Sequence, residues 1–213
     1  MLLFKDLLQR LHSDKIFYGF HFDLTRTSVS SNPAIPVSLR LLQRSDIPAF
    51  FNFKTQNFTS ADLRKALECL TFIKSGIPSC YVGTTNEGYP CVMCWLIEPE
   101  KNGELQAYFR QGIPHLNTDE VLCEYIFTHP KYRGNRLMGW VTSELFKMAS
   151  ERGFRRAIAF VNETNAVSLK TTPTIGWRPF LIKKVSWRIF KRQIAFKPFS
   201  KKLKQDNRRL LDG

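Results

Sequence analysis

Residues 121–162 constrain the fold more than any other stretch of the chain. They read as a strand, VLCEYIFTHP (121–130), a helix, GNRLMGWVTSELFKMASERG (134–153), and a second strand, RRAIAFVN (155–162). In the helix, Leu137, Val141, Leu145 and Met148 recur at helical spacing, and Gly153 follows as a stop signal. A strand, a crossover helix and a buried-type strand imply one parallel pair in a sheet. The join, HPKYRGNRLMGW (129–140), carries the functional question. A helix N-terminus with free amides is an anion site, but the same residues also suit an ordinary surface turn.

The flanking elements are shorter and mostly antiparallel in pattern. KIFYGFHFDLT (15–25) and VSLRLLQ (37–43) read as strands, with a loop over 27–36 between them. A helical segment follows Ser45, a candidate N-cap. A clearer helix spans 60–76, with Ser60 as cap, a face of Leu63, Leu67 and Leu70, and Gly76 as stop. Two strands flank an Asn-Glu-Gly turn over 79–100, and GELQAYFRQGI (103–113) reads as a further strand. TNAVSLKTTPTIGW predicts a short helix interrupted near Pro173 and a turn at Gly176. Residues 179–198 predict a strand pair. The expected fold is α/β: a single mixed, mostly antiparallel sheet flanked by helices.

Charge is distributed unevenly. Residues 1–130 hold 12 Lys/Arg against 13 Asp/Glu, whereas residues 131–213 hold 20 against 5. A basic field of this kind favours anionic ligands. The terminal KPFSKKLKQDNRRLLDG reads as a solvated tail in preference to a nucleic-acid arm, because no RNA- or DNA-module signature accompanies it. No apolar run approaches the roughly 18 residues of a membrane span. The first helix, with Leu3, Leu7, Leu8 and Leu11 on one face, reads as docked on the core in preference to lying on a membrane surface. It is a poor signal peptide, since Lys5, Asp6, Gln9 and Arg10 interrupt it. Cys91 and Cys94 lie on a strand, so their thiols point to opposite faces. With no metal spacing among the four histidines, the five cysteines are expected to be reduced and mostly buried, in a cytoplasmic protein without a metal site.

Residues 120–180 resemble the GCN5-related N-acetyltransferase superfamily. The residues that carry the resemblance are Pro130-Lys131-Tyr132-Arg133-Gly134, the helix and strand after them, and Asn165 followed eleven residues later by Gly176-Trp177. The resemblance implies an N-acetyltransferase domain over 37–198, an N-terminal extension over 1–36 packed on it, and a basic tail over 199–213. It implies acetyl-coenzyme A as cosubstrate, with the pyrophosphate at Arg133, Gly134, Asn135, Arg136, Met138 and Gly139. The pantetheine arm would pair with the backbone of Ile126, Phe127 and Thr128, and Asn165 and Ser168 would face the cofactor. Asn165 equally suits a helix N-cap.

This chain departs from the family's glycines at Arg136 and Met138, which are expected to be tolerated as helical residues. A shifted register, Arg136-x-x-Gly139-x-Val141, keeps one glycine and loses the Pro-Tyr-Arg-Gly anchor. Glu124, a carboxylate in an apolar strand, is the candidate general base, the other reading being a salt-bridged or edge residue. Thr172 stands where the family places an acidic Tyr. The acceptor implied is a primary amine, and the basic half hints at an anionic small molecule or glycan. Other readings are a transferase using a longer acyl donor, a catalytically silent coenzyme A-binding module, and a basic RNA- or membrane-binding protein.

Overall fold

The computed structural model describes residues 2–26, 31–53 and 58–199, without the side chains of residues 2–6. In chain order the elements are α1 (Leu2–Leu11), β1 (His12–Asp23), β2 (Val37–Leu41), α2 (Asp46–Phe50), α3 (Ser60–Lys74), β3 (Cys80–Thr85) and β4 (Pro90–Ile97). Then follow α4 (Asn102–Phe109), β5 (Glu120–Thr128), α5 (Leu137–Glu151), β6 (Arg156–Asn162), α6 (Ala166–Thr174), β7 (Arg178–Arg188) and β8 (Lys191–Pro198). The fold is α/β, with a mixed, mostly antiparallel sheet flanked by helices, as the pattern predicts. Among the described residues no helix is long and apolar enough to cross a membrane. Two compact units are distinguished: Leu24–Tyr108 with His115–Ala157, and Met1–Asp23 with Phe109–Pro114 and Ile158–Gly213.

In the first unit the strand order is β2-β3-β4-β5, antiparallel throughout. Every residue of β4 is buried, which explains its unbroken apolar sequence PCVMCWLI. One face carries α5, whose Trp140 packs so closely on β3 that a Cβ on Gly83 would lie 2.7 Å from the indole. On the other face Phe72 of α3 meets Trp95 at 5.1 Å and Tyr125 at 4.6 Å between ring centroids. The buried face of α3 is Asp62, Ala66, Cys69 and Phe72. Leu63 and Leu67 are exposed, so the leucine face read from the sequence is not the packed one.

Helix starts also differ from expectation. Thr59, not Ser60, caps α3, through a reciprocal capping box with Asp62. Ser45 stands before α2 but makes no side-chain cap bond. The segment expected as a strand over 103–113 contains α4 instead. Asn102 anchors its start by exchanging two side-chain bonds with the backbone of Leu116. Leu105 and Tyr108, three apart, point inward, and this helical spacing outweighs the apparent alternation. All five cysteines are free and buried, and Cys94 Sγ lies 3.4 Å from Cys123 Sγ.

In the second unit the order is β6-β1-β7-β8. β1 pairs antiparallel with β7, from His12 opposite Arg188 to His21 opposite Arg178. Lys183 is buried, its ammonium 4.2 Å from the Phe17 ring centroid and 4.8 Å from that of Phe160. β7 and β8 join through the two-residue turn Ile189-Phe190. The basic tail beyond Phe199 and residues 27–30 of the expected loop lie outside the described residues.

Candidate active site

The site begins with an irregularity in β5. Trp95 pairs with Glu124 and Met93 with Phe127, so Tyr125 and Ile126 together oppose Cys94. This is a β-bulge, and Tyr125 takes φ +53° to make it. Glu124, before the bulge, is half-buried. Phe127, after it, is buried among Phe50, Phe51 and Phe58. Ile126 and Thr128 remain half-exposed on either side of Phe127.

His129 ends the strand, its amide bonded to Cys91 O at 2.9 Å. Its Nδ1 accepts from the Lys131 amide at 3.2 Å, so the neutral ring carries its proton on Nε2. That Nε2 is buried and meets no hydrogen-bond partner among the described residues. Burial, reinforced by Lys131 and Arg133, holds the imidazole below its ordinary pKa. Nothing in the sequence around His129 marks this environment. The Lys131 bond is local, and the aromatic neighbours Phe50 and Phe58 arrive from elsewhere in the chain.

Pro130–Tyr132 form one 3-10 turn. Asn135 then ties the loop together by donating from Nδ2 to Tyr132 O at 3.0 Å. Gly134 takes φ +82° and Arg136 φ +56° before α5 starts at Leu137. The helix therefore begins three residues later than expected. Arg136 is not a helical residue that replaces a glycine at no cost. It adopts the left-handed conformation that glycine would take freely. Met138 is helical and 39% exposed. Gly139 lies against Ser31, where a Cβ would come within 2.8 Å of the hydroxyl. Ala34 N also bonds to Asn135 O at 3.0 Å, so residues 31–34 brace the loop.

The backbone amides of residues 134–139 meet no acceptor among the described residues. The first helical bond is Trp140 N to Arg136 O, at 3.1 Å. The amides of residues 134–139 lie at and just before the positive end of a 15-residue helix, where an anion is favoured. Arg133 is not free to serve it without exchange, because its Nη2 holds Asp62 Oδ1 at 2.5 Å. That contact is the main reason the Asp62 carboxyl lies below the usual range.

Glu124, Ile126, Phe127, Thr128, Arg133, Gly134, Asn135, Arg136, Met138 and Gly139 thus follow one another along a strand, a turn and a helix start within one unit. The remaining candidates share α6 in the other unit. Asn165 is its N-cap, with Oδ1 accepting from Ser168 N at 3.2 Å. Thr172 donates its hydroxyl proton to Ser168 O at 2.6 Å. Gly176 takes φ +95° with Phe22 against it, and Trp177 is buried edge-on to the same ring.

No family model matches the chain, and no curated protein matches it. Solved structures do. A glucosamine N-acetyltransferase region of a fungal multi-domain GH3 β-N-acetylglucosaminidase, described as GCN5-related, is 10% identical with a TM-score of 0.53, over 87% of this chain and 22% of that one. A tandem GNAT protein from the clavulanic acid biosynthesis pathway is 13% identical with a TM-score of 0.51, over 88% and 55%. A GNAT-family structure from Novosphingobium aromaticivorans DSM 12444 is 12% identical with a TM-score of 0.50, over 82% and 64%. The chain spans less than two thirds of the length of each. At these identities the likeness is one of architecture, and the fold is that of the GCN5-related N-acetyltransferases.

Proposed function

We propose that the protein transfers an acetyl group from acetyl-coenzyme A to a primary amine. The observation that carries this reading is the run of six amides that meet no acceptor among the described residues at the start of α5, one turn after the bulged end of β5. Those amides would hold the pyrophosphate, and the backbone of Ile126, Phe127 and Thr128 would pair with the pantetheine arm as an added strand does. Asn165 and Ser168 are the α6 groups that the motif assigns to the cofactor. The thioester supplies an activated acyl group. The amine nitrogen forms a bond to its carbonyl carbon, the C–S bond breaks, and the sulfur leaves as thiolate.

Glu124 is the group that takes the amine proton, directly or through water. A carboxylate half-buried in an apolar strand is suited to that work. Thr172 is poorly placed as the acid, because its proton is already donated to Ser168 O. The thiolate is a fair leaving group and needs little help. That same contact favours the alternative of a catalytically silent coenzyme A-binding module. The acceptor best matched to the basic C-terminal half is an anionic small molecule or glycan bearing the amine.

The test is Met138→Asp. Residue 138 is exposed, and a carboxylate in the first turn of a helix suits the free protein. Gly134 would be a poor choice for the same charge, since its positive φ would add strain. Met138→Asp should weaken coenzyme A binding by on the order of 1–3 kcal/mol, by repulsion beside the phosphates, with the melting temperature of the free protein kept. Unchanged binding in a calorimeter would move the cofactor elsewhere. Thiol release over an amine panel separates the enzyme from the silent module.

A further inference from the structure

The end of the second unit where α1 meets the β7–β8 turn carries apolar side chains that stay exposed among the described residues. Ile189 is 77% exposed and Phe190 49%, at the tip of the hairpin. Leu7, Leu8 and Leu11 of α1 are 40–50% exposed. Two backbone bonds join these elements: Ile189 N to Leu11 O and Phe190 N to Arg10 O, each 2.8 Å. The end of α1 and the tip of the hairpin are therefore held side by side.

The turn itself goes against local preference. Ile189 and Phe190 stand at φ +48° and +62°, a two-residue hairpin turn in which both central residues are left-handed. Asn-Gly is the favoured sequence there. A β-branched residue at positive φ is an outlier, and it is usually retained for a reason other than the fold. Here the two strained residues are also among the more exposed apolar residues described.

The surroundings are basic. β7 and β8, RPFLIKKVSWR and KRQIAFKP, carry seven Lys/Arg and no carboxylate. Arg188 and Lys191 bracket the turn, and Arg10 lies over the Trp187 ring at 5.6 Å. On the neighbouring strand β1, Asp14, the carboxylate nearer the turn, is already neutralised by Lys184 and Arg188 at 2.9 and 3.0 Å, and Asp23 lies at the strand's far end. A projecting apolar tip ringed by cations complements an anionic lipid bilayer: the tip enters the acyl boundary while the cations meet the headgroups.

We infer that this end of the protein, α1 with the Ile189-Phe190 turn, docks on anionic membrane surfaces. The inference is independent of the proposed catalytic reading and would stand or fall without it.

Co-sedimentation with phosphatidylserine-containing vesicles, against pure phosphatidylcholine vesicles, tests it. The wild-type chain should sediment with the first and far less with the second. The double variant Ile189→Asn/Phe190→Gly should lose vesicle binding by at least about tenfold while its melting temperature stays level or rises, because Asn-Gly suits the turn. Lys191→Glu should weaken binding by about tenfold through charge alone. A wild-type chain that fails to sediment overturns the inference, as does a double variant that sediments like the wild type. So does a wild-type dimer that the double variant turns into a monomer without vesicle binding by either. Binding to RNA with none to vesicles would do the same.

Discussion

Arg136 offers a sharp test of the loop geometry. It stands at φ +56°, ψ +21°, immediately before the first turn of α5. A side chain in the left-handed region costs about 1–2 kcal/mol relative to right-handed backbone. Glycine removes that cost but returns about 0.4–1 kcal/mol, because the unfolded chain gains freedom. Among the described residues the guanidinium makes no hydrogen bond or ion pair, so removing it is nearly neutral. Arg136→Gly should therefore stabilise the protein by about 0.5–1 kcal/mol. At this chain length that raises the melting temperature by about 1–4 °C. Arg136→Ala removes the same charge and keeps the strain, so it should melt at or below the wild type. Thermal melts followed by circular dichroism, with urea titrations alongside, measure both variants. If alanine and glycine melt together, or glycine melts lower, the left-handed assignment at residue 136 is wrong.

Two further outcomes are expected. Asp62→Asn breaks the contact with Arg133 and one half of the α3 capping box, and should cost about 1–2 kcal/mol near neutral pH. Because the folded carboxyl is held below its usual range, its contribution is present above the unfolded pKa of about 4 and is lost as pH falls through the folded value. The stability gap between wild type and Asp62→Asn should thus close as the pH is lowered from neutral into acid, and a gap that does not narrow would contradict this. Glu124→Gln should lower acetyl transfer by about 10²-fold or more and leave coenzyme A affinity unchanged. Near wild-type turnover would place the base on another residue.

The parts of the structure written locally were legible in the sequence. The strand–turn–helix–strand of 121–162 was readable from apolar spacing and from Pro130, and the β3–β4 hairpin from its Asn86-Glu87-Gly88 turn. Thr59 opens a Thr-x-x-Asp box in the sequence, one residue before the expected cap Ser60. α4 was misread because Leu105, Ala107 and Phe109 alternate as a strand would, while the anchor at Leu116 lies fourteen residues from Asn102. The bulge left no mark, since a tyrosine at positive φ is a tertiary outcome stabilised by Phe72 and Trp95. The same holds for Arg136. Its missing glycine signalled a departure, but the left-handed backbone there is a feature of the folded loop.

The position of β1 has a consequence for how the chain is made. Residues 12–23 leave the ribosome long before their antiparallel partner β7, which ends at Arg188. The segment 24–157 holds the whole of the other unit, interrupted only by 109–114, so its contacts are available while synthesis is still under way. β1 must remain unpaired with β7 until the last strands emerge, and its closing contacts are among the longest in the chain. Its apolar run, IFYGFHF, lacks one sheet neighbour for that interval, and a nascent chain halted before residue 178 holds β1 without its β7 partner. Such truncated chains are the ones on which chaperone binding and aggregation should concentrate.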